Sequence, residues 1–275
     1  MSLTNFIGTV WSETLLESLE KEYVGVKNSN RDFDADAKLP GSVVKACAVK
    51  PVFLFNYIKE TSIGAPQNLT DESVTINLNR CRAFNFKIED IDKAQSKPSI
   101  MKSAMMQAAR ALANDADGYI FSLHDTVASE NTITVDDLSA DNIIDTIIRT
   151  REAMLENNVN SNTRTVLEVS PKVASLILKA NIAQRSNNDE VLHNGYVGSC
   201  IGFDIYVTNN VATDSSGYYK CYARTTRAIA FAEQIKSIIA YRPEDSFSDA
   251  VKGLYVYGAS IIYPKELTLL NVKLA

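Results

Sequence analysis

The chain has 275 residues, 45% of them hydrophobic and 22% charged, ordinary values for a globular protein able to bury a sizeable core. Its formal net charge is −5, and Lys and Arg are scattered singly along it. That distribution excludes a protein whose main task is coating nucleic acid, because phosphate binding needs clustered cations that release counterions.

The first predicted element lies in Thr9–Tyr23, where Leu15, Leu16, Leu19 and Tyr23 share one face of a short amphipathic helix. The polar stretch Gly25–Gly41, ending in a Pro–Gly pair, reads as an extended arm. From Ser42 to Ile88 the pattern is β, with candidate strands Val43–Val49, Val52–Tyr57, Val74–Leu78 and Ala83–Ile88. Gly64, Pro66 and Asn68 mark a turn region, so two long strands with a polar tip suggest a projecting hairpin. Ser96 and Pro98 then suit the start of a helix, and Met101, Met105, Ala108 and Leu112 recur at helical spacing from about Lys97 to His124. A second helix is predicted from about Ala140 to Asn157, carrying Ile144, Ile147, Ile148, Met154 and Leu155 inward. Thr165–Val169 reads as a strand, and Ser170–Pro171 opens another helix with Val173, Leu176 and Ile177. A glycine-punctuated loop, Asn194–Gly202, leads to the strand Phe203–Thr208. Arg227–Ile235 is strand or helix, and Ile238–Leu274 is mainly strand. Hairpin, long helix, mixed region and terminal strands make an α+β fold and not a regular βαβ winding.

The search for chemistry is negative. No zinc-protease, P-loop or dinucleotide fingerprint is present, and the two histidines, His124 and His193, supply few His-dependent mechanisms. His124 is expected to end the long helix and meet its carbonyls. Gly198-Ser-Cys200-Ile-Gly202 fits a nucleophile elbow with Cys in place of Ser, but that motif needs a strand before it and a helix after it. A glycine-hinged loop with a half-buried thiol is the reading preferred, and a cysteine-dependent hydrolase using Cys200 a remote one. Asp32, Asp34 and Asp36 resemble the start of a calcium loop that fails at Ala37 and Val43, and Glu89, Asp90 and Asp92 lack an accompanying pocket. Cys47, Cys81, Cys200 and Cys221 form no CxxC pair and are expected to be reduced and mostly buried. No apolar run approaches the roughly 20 residues that span a bilayer, and Met1–Val10 has no basic segment followed by an apolar core. No catalytic, cofactor or metal site is expected, nor a membrane partner, and the chain reads as made in a cytoplasm.

Several segments, taken in order, resemble the major capsid proteins of tailed double-stranded DNA phages with the Hong Kong 97-type fold. They are Gly41-Ser-Val-Val-Lys45, then Phe86-Lys-Ile-Glu-Asp-Ile-Asp-Lys-Ala-Gln95 before the long Ala- and Met-rich helix, then Arg164-Thr-Val-Leu-Glu-Val-Ser-Pro171. Gly195-Tyr-Val-Gly198 with Gly202-Phe-Asp-Ile-Tyr-Val-Thr-Asn-Asn210 follows, and then Arg227-Ala-Ile-Ala-Phe-Ala-Glu-Gln-Ile235 with Gly253-Leu-Tyr-Val-Tyr-Gly258. The resemblance covers residues from about 40 to the end.

The resemblance implies an N-terminal arm (1–40), a hairpin loop called the E-loop (50–86) and a spine helix (about 97–123). A peripheral domain would take 41–49 and 87–140, a mainly axial domain 141–235, and 236–275 would return to the peripheral domain. The chain would self-assemble through pentamers and hexamers into an icosahedral shell, a component of the virion assembled in the host bacterial cytoplasm. Its size implies a separate scaffolding protein, with a portal and non-specifically contacted DNA as further partners. Expected subunit contacts are Leu15, Leu16 and Leu19 of the first helix, and Phe53, Phe55, Tyr57, Lys59 and Asn68 of the hairpin. The hairpin's apolar side chains either pack on their own core or are reserved for a neighbour. An encapsulin-like nanocompartment shell on the same fold is the alternative.

Overall fold

The structure is a computed structural model that describes residues 15–34, 43–49, 54, 59, 71–89, 100–180 and 196–275. The predicted Val52–Tyr57 strand (Leu54 apart) and the predicted caps Ser96 and Pro98 lie outside them.

Helix α1 (15–22) buries Leu15 and Leu19 but leaves Leu16 exposed. Strands β1 (Val43–Val49) and β2 (Asp71–Asn77) pair antiparallel in continuous register, Val43 opposite Asn77 and Val49 opposite Asp71. β3 (Arg80–Glu89) joins a three-stranded antiparallel sheet of order β3-β10-β9, with β9 spanning Ile229–Tyr241 and β10 Ser248–Ile261. The Arg227–Ile235 ambiguity thus resolves as strand.

Helix α2 (Ile100–Ser122) packs against β10 and β3. Met105, Ala109, Leu112, Ala113, Ala116 and Ile120 recur three or four residues apart and are buried, so one face lies against the core. The alanines permit close approach. At its C-terminus the Tyr222 hydroxyl donates to the Ile120 and Phe121 carbonyls, 3.2 and 3.1 Å away, and His124 Nδ1 lies 2.8 Å from the Phe121 carbonyl. Carbonyls left over at a helix end are thereby paired.

A six-stranded sheet of order β4-β11-β8-β5-β7-β6 forms the rest. Its strands are β4 (Thr132–Leu138), β5 (Thr165–Val169), β6 (Tyr196–Cys200), β7 (Phe203–Val207), β8 (Tyr219–Thr225) and β11 (Leu267–Leu274). β4–β11 and β5–β7 are parallel, the other pairings antiparallel. β4 and β11 sit side by side in this sheet with β5–β8. The last strand is drawn in because Leu267, Leu269, Leu270 and Val272 are buried, which requires cover on both sides.

Helices α3 (Ile143–Glu156) and α4 (Pro171–Lys179) complete the fold. At α4, Ser170 caps the N-terminus by accepting from the Val173 amide, as its sequence foretold. On α3 the inward face differs from the expected one. Ile147 and Met154 are buried as predicted, but Ile144, Ile148 and Leu155 are exposed, and Ile143, Thr146 and Thr150 are buried instead. The threonines can be buried because each hydroxyl donates to the carbonyl four residues back, Thr146 to Asn142 at 3.0 Å and Thr150 to Thr146 at 2.7 Å. The predicted loop at Asn194–Gly202 is also corrected. Tyr196–Cys200 is strand, and Ile201 (φ 51°) with Gly202 (φ 81°) forms the two-residue turn to Phe203, a geometry matching the twist of paired strands.

A second, smaller core roots the β1–β2 hairpin. Val44, Ile76 and Leu78 meet Ala230, Ala232 and Val256 on the three-stranded sheet. Gly258 lies against the backbone of Asn77, leaving no room for a side chain.

Candidate assembly interface

Residues 23–34, most of them expected in a loose arm, are instead bolted into the body. Asp117 on α2 accepts from the Val24 and Val26 amides, both at 2.9 Å. Arg224 on β8 donates to the carbonyls of Gly25 and Asn28, each at 2.8 Å. The same guanidinium makes a two-pronged ion pair with Glu168 on β5, both contacts 2.9 Å, and neither side chain is exposed to solvent. Asn28 completes the group by donating to Glu168 at 3.1 Å. Asn30 then forms a parallel bridge with Ala230 on β9. Arg31, Tyr23 and Tyr255 all donate to Glu233, and Asp34 accepts from the Glu233 amide. Burial raises the Glu233 carboxyl above its usual range, although Arg31 and the two tyrosine hydroxyls pull the other way. One peptide segment thus clamps α2 and both sheets together.

Burial pushes the Asp117 carboxyl up from 3.8 to about 6, against the amide hydrogen bonds and with help from the nearby Glu168 charge. As pH rises, the unfolded chain loses this proton first, so the folded state holds more protons between the two values and stability falls with rising pH. The contribution is fully present below about 4 and lost by about 6, on the order of 3 kcal/mol in all. Asp117→Asn should remove this component. Urea unfolding of wild type and variant at about pH 4.5 and pH 7 should show a steeper loss in the wild type, and equal slopes would refute the assignment.

The residues expected at subunit contacts are placed as follows. Leu15 and Leu19 are fully buried in the same core as Met105 and Ala109, which corrects their assignment to a neighbour-facing surface. They complete the subunit's own core because the 23–34 clamp holds α1 in place. Leu16 and Lys59 are exposed. Phe53, Phe55, Tyr57 and Asn68 lie outside the described residues. Sequence reasoning missed other exposed apolar side chains: Ile144, Ile148 and Leu155 along one stripe of α3, and Phe247, 86% exposed, between β9 and β10.

The chemical lures do not assemble into a site. Cys200 is buried at a strand end, and burial raises its thiol, which opposes the thiolate a nucleophile needs. Burial drives Cys221 up to about 12, whereas Cys81 is exposed, so two of the three thiols whose burial is described are buried. Asp34 is occupied by Arg31 and the Glu233 amide, and Glu89 lies 3.7 Å from Lys87. Among the described residues no group of acidic, His or Cys side chains could hold a metal ion, and no helix is long and apolar enough to cross a membrane.

Comparison with known proteins decides between these readings. The family model described as phage capsid protein matches residues 72–269, most of the chain. The chain belongs to the phage capsid protein family. Its fold is the Hong Kong 97-type capsid fold, shared with solved structures at low identity. A structure from Mycobacterium phage Che8 is 24% identical, covers 90% of this chain and 91% of that one, and superposes with a TM-score of 0.67. The capsid of Ralstonia phage GP4 is 10% identical, with coverages of 94% and 91% and a TM-score of 0.71. A virus-like particle from Pyrococcus furiosus is 15% identical, with coverages of 96% and 99% and a TM-score of 0.60. A search of curated proteins returns no match. This phage capsid protein is a structural component of the virion, self-assembling into a shell and without enzymatic activity.

Proposed function

We propose that this capsid protein encloses double-stranded DNA with the help of a separate scaffolding protein and a portal, assembling in the host cytoplasm. Membership of the phage capsid family across residues 72–269 carries the reading. Closed rings of five and six need head-to-tail contacts between different patches of one surface. The β1–β2 hairpin, rooted at one end by its small core, and the exposed stripe Ile144, Ile148 and Leu155 are the patches proposed to meet neighbours. Phe53, Phe55, Tyr57, Lys59 and Asn68, which lie between β1 and β2 in the sequence, belong to the same proposal. A wall bearing net charge −5 suits DNA that arrives with its own counterions, contacted without sequence preference.

A nanocompartment shell is the second reading, favoured by the similarity to the Pyrococcus furiosus particle. Negative-stain electron microscopy over a concentration series, with size-exclusion chromatography and coexpression of a scaffold, tests both. Closed shells containing DNA support the first, and shells that copurify with an enzyme or a flavin support the second. A chain that stays monomeric under every condition would contradict either.

A further inference from the structure

We propose that the pocket around Arg80, between β3 and α2, receives an Asp or Glu side chain from an adjacent copy of this chain in the shell. The pocket has a volume of about 280 Å³ and is lined by Arg80, Arg82, Asn114, Tyr119 and Ser122 among others. Arg80 opens β3, and its guanidinium carbon sits 4.8 Å from the centre of the Tyr119 ring. A guanidinium held by the face of a ring keeps its in-plane N–H groups for other partners.

Its neighbour on the same side of the strand is already satisfied. Arg82 donates twice to Asp115, at 2.7 and 2.9 Å, and the Tyr257 hydroxyl donates to the same carboxylate. Among the described residues Arg80 has no carboxylate within ion-pair distance; its contact is the Tyr119 ring. The Asn114 side-chain oxygen accepts from Asn210 at 3.3 Å, which leaves its amide N–H groups as donors at the pocket wall. The pocket therefore carries surplus donors and two guanidinium groups, Arg80 and Arg82, against the single carboxylate of Asp115, which is hydrogen-bonded to Arg82.

A carboxylate fits this inventory better than a phosphate. It is planar, carries one charge and matches a guanidinium fork. A DNA phosphodiester carries the same single charge but is tetrahedral and sits on a bulky backbone, which a pocket of about 280 Å³ admits less readily than a side-chain tip. The source follows from the shell reading, on which this inference rests. Each copy carries 33 acidic against 28 basic residues, and a shell sets a different patch of a neighbour against every side of a subunit.

The test uses Arg80→Glu and Arg80→Ala in the full chain. Both variants should remain folded, because the side chain is exposed and gives up only its ring contact and its attraction to Asp115. Shell yield should fall at least tenfold, with unassembled subunits or capsomers accumulating, and Arg80→Lys should recover part of it. Suppressors of Arg80→Glu selected within the same gene should convert an acidic residue to Lys or Arg and thereby identify the partner. Normal shell yield with Arg80→Glu overturns the proposal. Normal yield with reduced DNA content overturns it in favour of a contact to packaged phosphate. Failure of the wild type to form shells even with its scaffold overturns the shell reading itself.

Discussion

Replacing Glu168 by Gln should destabilise the subunit by about 3–5 kcal/mol, the cost of stranding one member of a buried ion pair. That is a large share of the roughly 5–15 kcal/mol that separates folded from unfolded domains. The pair is fully enclosed, and Arg224 also serves the carbonyls of Gly25 and Asn28. Without the Glu168 charge, the guanidinium remains buried with only neutral acceptors. Arg224→Met should be equally damaging by a different route, since it leaves a buried carboxylate and two buried carbonyls short of donors. The double variant should lose much less than the sum of the two, because residues in direct contact are not additive. Urea unfolding below the assembly concentration measures all three. Single-variant losses under about 1 kcal/mol, the range of exposed pairs, would show that the pair does not hold the 25–29 segment.

Gly258→Ala should dislodge the β1–β2 hairpin while leaving the six-stranded sheet folded. A Cβ there would lie 2.3 Å from the Asn77 carbonyl oxygen and 2.9 Å from its carbon. Both are backbone atoms, so neither can swing aside as a side-chain tip would. Accommodation must lift the hairpin or bend β10, and such overpacking costs about 1–3 kcal/mol. Lifting the hairpin also exposes Val44, Ile76 and Leu78, each worth about 1.5–3 kcal/mol when fully buried. Hydrogen exchange should show lost protection in Val43–Val49 and Asp71–Asn77 with β5 and β8 unchanged, and shells should not form. Gly118→Ala is the control: nothing lies within 4 Å of its Cβ, so it should be neutral or slightly stabilising. Equal protection patterns in the two variants would refute the account.

Regular elements were legible where one periodicity dominated. β5 has the predicted bounds, and α2 was predicted within a few residues. The face of α3 was not, because a hydropathy reading ranks isoleucine above threonine and cannot see that Thr146 and Thr150 satisfy their hydroxyls on their own helix. The 23–34 clamp was illegible for a related reason. Most of its residues are polar, and their partners elsewhere in the body lie 91 to 232 positions away in the chain. One signal was available: Glu168 stands inside an otherwise apolar strand, and an acid there needs a buried partner. The family resemblance carried the function because shell subunits have no reacting centre for chemical motifs to mark.

The position of β11 bears on when the subunit becomes competent to associate. The strand closest to the C-terminus, Leu267–Leu274, is not at the margin of its sheet but lies between β4 and β8. A ribosome makes β4 and β8 before β11, and a gap stays between them until β11 emerges. Until then, two strand edges with buried-type side chains lack their partner, and the 25–29 segment waits for Arg224 nearly as long. Chains cut short before β11 therefore lack a finished sheet and should not take a place in a growing shell, so this one strand makes assembly conditional on a folded subunit.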